Sequence, residues 1–374
     1  MKRIPTYVVL GMVLLINGSL LFINDWADAA KSEWISFTSN RSGNFDIYVV
    51  DTNGENLRNL TNHPARELEH AWSPDGRFLA YVSNRDGDFK IYVMDTRTGE
   101  HRRLTNHHEK EWAPAWSPDG KWIAFVSRSD KIIPPVKFKI TSHIYRIDAN
   151  GANLVQLTDQ GKNLRPAWSP DSKQIAFVSY HRGKERKGLY IMNADGRQLR
   201  RVNDQQVQAL NGIFQNQCVW SPNGKRIAFS IIAPRDDRMH LCVIDADGKN
   251  FRQLTRGGPI LKPAVGKPAV GKQLKPVIAG KQPPTFPLPE IGSPAWAPDG
   301  KWIAYAFSET VFWGTADIYI IDAEGNRRGT PLVKNAGRNL SPAWVPEEFL
   351  SVAPSVEKQT TLWGRLKQMK GTSK

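Results

Sequence analysis

Ala71-Trp72-Ser73-Pro74-Asp75-Gly76, followed by the apolar run Leu79-Ala80-Tyr81-Val82-Ser83, decides the fold because the chain writes it repeatedly. The turn returns as Ala115 to Gly120, Ala167 to Asp171, Trp220 to Gly224, Ala295 to Gly300 and Ala343 to Pro346. Its apolar follower returns as Ile123 to Ser127, Ile175 to Ser179, Ile227 to Ser230 and Ile303 to Phe307. One follower, Ile35-Ser36-Phe37-Thr38-Ser39, has no turn before it, and Trp344 has no follower after it. The spacing of roughly 45 to 50 residues, stretched once by an insertion, is that of a four-stranded propeller blade. The two incomplete copies add up to one blade. The expected fold is all-β, a six-bladed β-propeller closed by pairing of the N- and C-terminal strands in one shared blade, so that few sheet edges stay open.

Turn chemistry draws each blade. In Ser-Pro-Asp-Gly the proline presets φ at the second turn position and glycine ends the turn, which hairpins strand a to strand b. Strand c alternates apolar residues, as in Ile47-Tyr48-Val49-Val50 and Ile91-Tyr92-Val93-Met94. Strand d is read at Leu60-Thr61, Leu104-Thr105, Leu157-Thr158 and Leu254-Thr255. Six of the thirteen tryptophans recur in phase with the repeat, Trp34, Trp122 and Trp302 sit in or beside b strands, and these nine are assigned to packing between blades. Trp112, Trp313 and Trp363 stand outside that phase.

Residues 1–29 read as an export signal: Lys2 and Arg3, an apolar stretch from Tyr7 to Ile23, and Ala27-Asp28-Ala29 before a cut between Ala29 and Ala30. The rival is an uncleaved anchor, since the stretch nearly spans a bilayer. The propeller is expected over 30–347, interrupted by a Lys-, Pro- and Gly-rich insertion at 256–289 that reads as an extended loop, and followed by a basic tail over 348–374. The tail offers a peripheral membrane contact. Cys218 falls in strand a and Cys242 in strand c of one blade, about 9.5 Å apart across strand b, so both are expected as buried free thiols.

The unit Ala-Trp-Ser-Pro-Asp-Gly-Lys-x-Ile-Ala-Phe-x-Ser, followed by Ile-Tyr-x-x-Asp-x-x-Gly and Leu-Thr, resembles the WD40-like (PD40) repeat of the TolB propeller over roughly residues 33 to 346. The resemblance implies an exported six-bladed propeller that contacts an envelope lipoprotein and serves envelope integrity. TolB proteins also carry an N-terminal α/β domain that meets the rest of the Tol system; the stretch before Trp34 is too short for one, which sets the expected role apart. Prolyl-oligopeptidase-like peptidases carry similar repeats, but their Gly-x-Ser-x-Gly nucleophile elbow is missing from this sequence.

In a four-stranded meander the a–b and c–d turns lie at one end of the blade and the variable b–c and d–a connections at the other, where binding is normally carried. Three of those connections, 128–143, 180–188 and 256–289, hold fourteen basic and two acidic residues, against a chain excess of +15. Binding candidates are Lys137, Lys139, Arg182, Lys184 and Arg186 on these loops, with His70, Trp112 and Arg165 at the channel mouth. Seven of the eight histidines map to the same end, without ligand spacing, so no metal and no cofactor is assigned. The expected function is a monomeric, non-enzymatic envelope scaffold for an acidic protein or polymer partner. The alternative is an exported lyase or hydrolase on acidic polysaccharide, although no catalytic acid–base pair stands out. Export argues against nucleic acid despite the basic composition.

Overall fold

A computed structural model describes residues 34–106, 109–133, 137–180, 187–202, 213–233, 238–255, 293–307, 316–325, 329–334, 337–347 and 349. The leader, the 256–289 insertion and all of the tail except Phe349 lie outside the described residues, and so do the structural expectations placed on them. The described residues are almost wholly strand and turn. One sheet holds β1 (Trp34–Ser39), β2 (Asp46–Asp51) and β3 (Arg58–Asn59), with β24 (Asn339–Trp344) on the far side of β1. A second holds β4 (Glu67–Trp72), β5 (Phe78–Ser83), β6 (Lys90–Asp95) and β7 (His101–Arg103). An eight-stranded sheet follows. It comprises β8 (Lys110–Trp116), β9 (Trp122–Ile133), β10 (Lys137–Asp148) and β11 (Val155–Gln156), then β12 (Lys162–Trp168), β13 (Gln174–Tyr180), β14 (Lys187–Asn193) and β15 (Arg200–Arg201). Its halves meet only through the parallel pair Ser142↔Lys162, so it is two antiparallel four-stranded units side by side. The last two sheets are β16 (Ile213–Trp220), β17 (Arg226–Ala233), β18 (Arg238–Asp245) and β19 (Arg252–Gln253), and β20 (Pro294–Trp296), β21 (Trp302–Phe307), β22 (Asp317–Asp322) and β23 (Thr330–Val333).

The half-copies at the two ends of the repeat array do pair. Ile35 lies opposite Trp344 and Ser36 opposite Ala343, antiparallel. The core is divided into clusters that each span two neighbouring units. Phe37, Tyr48 and Val50 of the first sheet pack with Ala306, Ile318 and Val333 of the last, and Ala80 and Val82 pack with Ile123 and Phe125. The a strands touch in succession, β4 to β8, β12, β16, β20, β24 and back to β4.

The repeated residues earn their places through hydrogen bonds. Ser73 Oγ donates to Asp75 Oδ1 and accepts the Phe78 amide, while the Gly76 amide donates to Ser73 O. Ser117, Ser169 and Ser221 repeat the clamp with Asp119, Asp171 and Asn223. The tryptophan that precedes it bolts neighbouring units together: the indoles of Trp168, Trp220 and Trp344 donate to Ala115 O, Ala167 O and Ala295 O at 3.0 to 3.2 Å. At the shared blade Trp72 donates to Ser36 Oγ, which donates to Ala343 O.

Two expectations need correction. The Leu-Thr pairs follow strand d rather than form it: β3, β7, β11 and β19 end just before them. Each leucine amide bonds strand c once more (Leu60 N to Ile47 O, 2.8 Å), and each threonine Oγ1 accepts a strand c amide (Thr61 to Ile47 N, Thr158 to Ile144 N, Thr255 to Leu241 N). The threonine hydroxyl thus substitutes for a backbone carbonyl where strand d has ended. The stretch 128–143, read as a long connection between strands, is instead strand over 128–133 and 137–143, continuing β9 and β10 in a register paired without interruption from Trp122↔Asp148 to Ile133↔Lys137. Its lysines alternate with Ile132, Phe138 and Ile140, and that period of two is a strand signal that charge counting passes over.

Cys218 and Cys242 are free and buried, on either side of Phe229 in β17, which lies opposite both. Burial pushes the Cys218 thiol up to about 12 and raises that of Cys242 further.

Candidate functional site

The innermost strands share a sequence register that sets up the centre of the molecule. Counting back from each tryptophan, the third residue reads Glu69, Ala113, Arg165, Gln217, Ser293 and Ser341, and the second reads His70, Pro114, Pro166, Cys218, Pro294 and Pro342. An inner strand is an edge strand, and proline there removes a donor that would otherwise stay unpaired. The strands bulge at this point, with register shifts between Leu68 and His70, Trp112 and Ala115, Leu164 and Ala167, and Gln215 and Cys218. Glu69, Ala113, Arg165 and Ser341 adopt positive φ of 33 to 52°. Because Ala113 and Ser341 share that strain, it belongs to the bulge and not to the chemistry of any one side chain.

A cavity of about 430 Å³ is lined by all six of these strands. It runs from Glu69, Arg165, Gln217 and Ser341 to Pro74, Pro118 and Pro346, so it extends toward the a–b turns. At its polar end Arg165 Nη2 donates to Glu69 Oε1 at 2.6 Å, and the Ala113 amide donates to Glu69 Oε2 at 2.5 Å. Glu69 and Arg165 are both buried. The bond steps over a unit, from β4 to β12, and the small Ala113 of β8 between them leaves room for the guanidinium. Three consecutive inner strands are tied by one carboxylate. Ser341 Oγ and Gln217 Oε1, on two other strands lining the cavity, are buried without a hydrogen-bond partner. The cavity is therefore walled mainly by prolines, alanines and tryptophans, with its polar groups gathered at the end that holds Glu69, Arg165, Gln217 and Ser341.

Of the candidates placed at the channel mouth, the structure brings His70 and Arg165 to the cavity. His70 Nε2 is 2.7 Å from Ser36 Oγ. Ser36 is fully buried and outside the cavity lining, so this pair is a wall element and not a nucleophile with its base. Trp112 is not part of the cavity: its ring packs on Phe89 at 4.3 Å, within the apolar cluster between the second and third units. Lys137 and Lys139 lie in β10, and Arg182, Lys184 and Arg186 lie outside the described residues. Glu69 was missed by charge counting over loops. Its in-phase position three residues before a tryptophan, two repeats from an arginine at the same position, was the available signal.

A second acidic layer sits five residues before the tryptophans. Glu67 Oε1 accepts from Ser83 Oγ and from Arg85 at 3.0 Å, yet burial raises its carboxyl above the ordinary range despite that arginine. Glu111 Oε2 accepts from the Ile91 amide and from Thr105 Oγ1, and burial pushes it up to about 7. Asn163 holds the equivalent place with bonds to Ser179 Oγ and Thr158 Oγ1, so the layer fastens a strands to their neighbours and is structural. Among the described residues no three of His, Cys, Asp or Glu converge as a metal site would require.

The sequence matches the family model described as the TolB beta propeller domain (PD40) over residues 29–209 and 136–267. A protein TolB homolog of Chlorobium chlorochromatii is 36% identical over 146 residues, which is 39% of this chain and 31% of the relative. An uncharacterized peptidase YuxL of Bacillus subtilis is 27% identical over 188 residues, 46% of this chain and 26% of the relative. The chain thus spans only about a quarter to a third of the length of these relatives. The crystal structure of TolB from Acinetobacter baumannii superposes with a TM-score of 0.63 at 21% identity, covering 84% of this chain and 67% of that one.

Proposed function

Because the chain belongs to the TolB β-propeller family, we propose that its four-stranded units form a closed ring of six blades which serves as an exported, non-enzymatic scaffold in the cell envelope. Closure is supported by the core clusters, since each joins one unit to the next and the last joins β22 to β2. The scaffold binds an acidic protein or polymer partner through the end that carries the b–c and d–a connections. The observation that carries this reading is the treatment of charge in the molecule. The central Glu69–Arg165 pair is buried and ion-paired, whereas the sequence concentrates fourteen basic against two acidic residues on 128–143, 180–188 and 256–289, which the order of strands in a four-stranded meander assigns to one end.

The test measures association with an acidic polymer, polyglutamate or polygalacturonate, as a function of salt. Exposed charges are screened beyond about 8 Å at physiological ionic strength, so binding should weaken steeply as salt rises. Neutralising Lys137, Lys139, Arg182, Lys184 and Arg186 together should slow association more than it speeds dissociation, as expected of electrostatic steering, and leave the melting temperature unchanged. Binding indifferent to salt and to these changes, but lost in Arg165→Ala or Ser341→Ala, would move the site into the cavity. Turnover of acidic oligosaccharide would replace the scaffold reading with the lyase or hydrolase one.

A further inference from the structure

Phe349 shows how an aromatic side chain is held between two units. In the complete repeats the a–b turn leads straight into strand b, but β24 pairs with a b strand, β1, that comes from the other end of the chain. The residues after β24 therefore cross to the next unit. They do so through a tight turn in which the Phe349 amide donates to Pro346 O at 3.1 Å. The Phe349 ring then lies 4.8 Å from that of Trp72, in the same apolar cluster as Trp34, and its backbone covers Gly76.

The repeat places the same kinds of residue one unit further on. Trp116, Gly120 and Phe78 stand where Trp72, Gly76 and Trp34 stand before them, and Pro74 stands for Pro346. With Arg102 and Ala149 they line a groove of about 440 Å³, within the range of roughly 300 to 1,000 Å³ typical of ligand pockets. A Cβ on Gly120 would have no atom nearer than 4.0 Å, whereas one on Gly76 would meet Phe349 at 2.7 Å, so among the described residues nothing fills the second groove as Phe349 fills the first. Other members of the series hold larger groups. Trp122 stacks on Trp168 at 5.9 Å with Arg146 over it, and Arg226 lies over Trp296 while paired with Glu324. Phe78, stacked on Trp116 at 6.1 Å, is a smaller ring at the position of Trp122. Asp75 and Asp119 are engaged by their own turns, accepting from Ser73 Oγ and Ser117 Oγ, so recognition falls on the ring faces and prolines.

We propose that the groove between the second and third units binds a peptide segment of a partner protein, a proline-led turn that presents an aromatic side chain to Trp116 as Pro346 and Phe349 do to Trp72. The groove lies at the a–b turns, so the proposal is independent of the acidic-partner reading. The probe is a blocked synthetic peptide with the sequence of residues 345–352, Val-Pro-Glu-Glu-Phe-Leu-Ser-Val, added to the full chain. A copy carrying a benzophenone in place of the phenyl ring is photo-cross-linked and mapped by mass spectrometry. Binding should saturate, with cross-links at Trp116, Gly120 or Asn150. Replacing the peptide's phenylalanine by alanine should weaken binding about ten- to a hundredfold, the loss of one buried aromatic contact. Phe78→Trp, which installs the ring that the third unit carries at Trp122, should fill the groove and abolish binding while the melting temperature holds. Absence of saturable binding at millimolar peptide, or binding indifferent to both changes, would overturn the proposal. So would cross-links confined to Trp34 and Trp72, where the peptide would merely exchange with Phe349. Binding that appears only in a chain truncated after Leu350, or self-association of the full chain that the peptide reverses, would give the groove to the chain's own tail or to a second copy and would overturn it as well.

Discussion

Gly76→Ala should cost several times more stability than the same change at Gly120, although both end a Ser-Pro-Asp-Gly turn. Their backbones are nearly identical, with φ of +63° and +74°, so alanine should meet similar left-handed strain of about 1 to 2 kcal/mol at each. Their surroundings differ. A Cβ on Gly120 would meet nothing closer than Pro74 Cδ at 4.0 Å, and at Gly224 and Gly300 it would meet Pro170 and Pro222 at 3.7 and 3.8 Å. On Gly76 it would lie 2.7 Å from the Phe349 amide nitrogen and 3.0 Å from its Cβ. Phe349 is buried, 4.8 Å from the Trp72 ring centroid, and it clasps the first blade to the second after β24 has ended. Dislodging it exposes a packed phenylalanine, worth about 3 to 5 kcal/mol when truncated to alanine. Gly76→Ala should therefore exceed Gly120→Ala by about 3 kcal/mol, read from urea unfolding followed by tryptophan fluorescence. In a Phe349→Ala background the excess should shrink toward zero, since the clasp is already released. Equal costs at Gly76 and Gly120 in the wild-type background would refute the clasp.

Glu111 makes stability depend on pH. Burial holds its folded-state value near 7 against an ordinary 4.5, so the folded protein binds this proton more tightly than the unfolded chain does. Its contribution is fully present below pH 4.5 and is lost as pH rises through 7, about 3 kcal/mol in all; Glu111→Gln should flatten that slope in melts across the interval. Arg165→Ala should destabilise by about 3 to 5 kcal/mol by stranding the Glu69 carboxylate, whereas Glu69→Leu with Arg165→Leu should recover most of the loss. Chemical denaturation of the three variants decides this. Thr158→Val should cost about 1 to 3 kcal/mol, because the Ile144 amide loses its acceptor, and amide exchange at Ile144 should accelerate.

The sequence by itself determined the blade. Ser-Pro-Asp-Gly turns, in-phase tryptophans and alternating c strands are local signals set by φ preferences and side-chain period. They place the elements without any distant partner, and the complementary half-copies even predicted the Ile35–Trp344 pairing. What the local pattern left undecided is whatever depends on residues from different repeats meeting. Glu69 and Arg165 are 96 positions apart and ordinary in their own strands; only the convergence of inner strands makes them a buried pair. Trp112, singled out because it broke phase, is a packing residue, since Phe89 of the preceding hairpin covers it. The threonines after strand d gained their meaning from the amides they cap, and only the lining residues show that the cavity reaches toward the a–b turns. Local sequence fixes dihedral angles and turn types, whereas burial, charge pairing and the shape of a channel arise where separate strands approach one another in space.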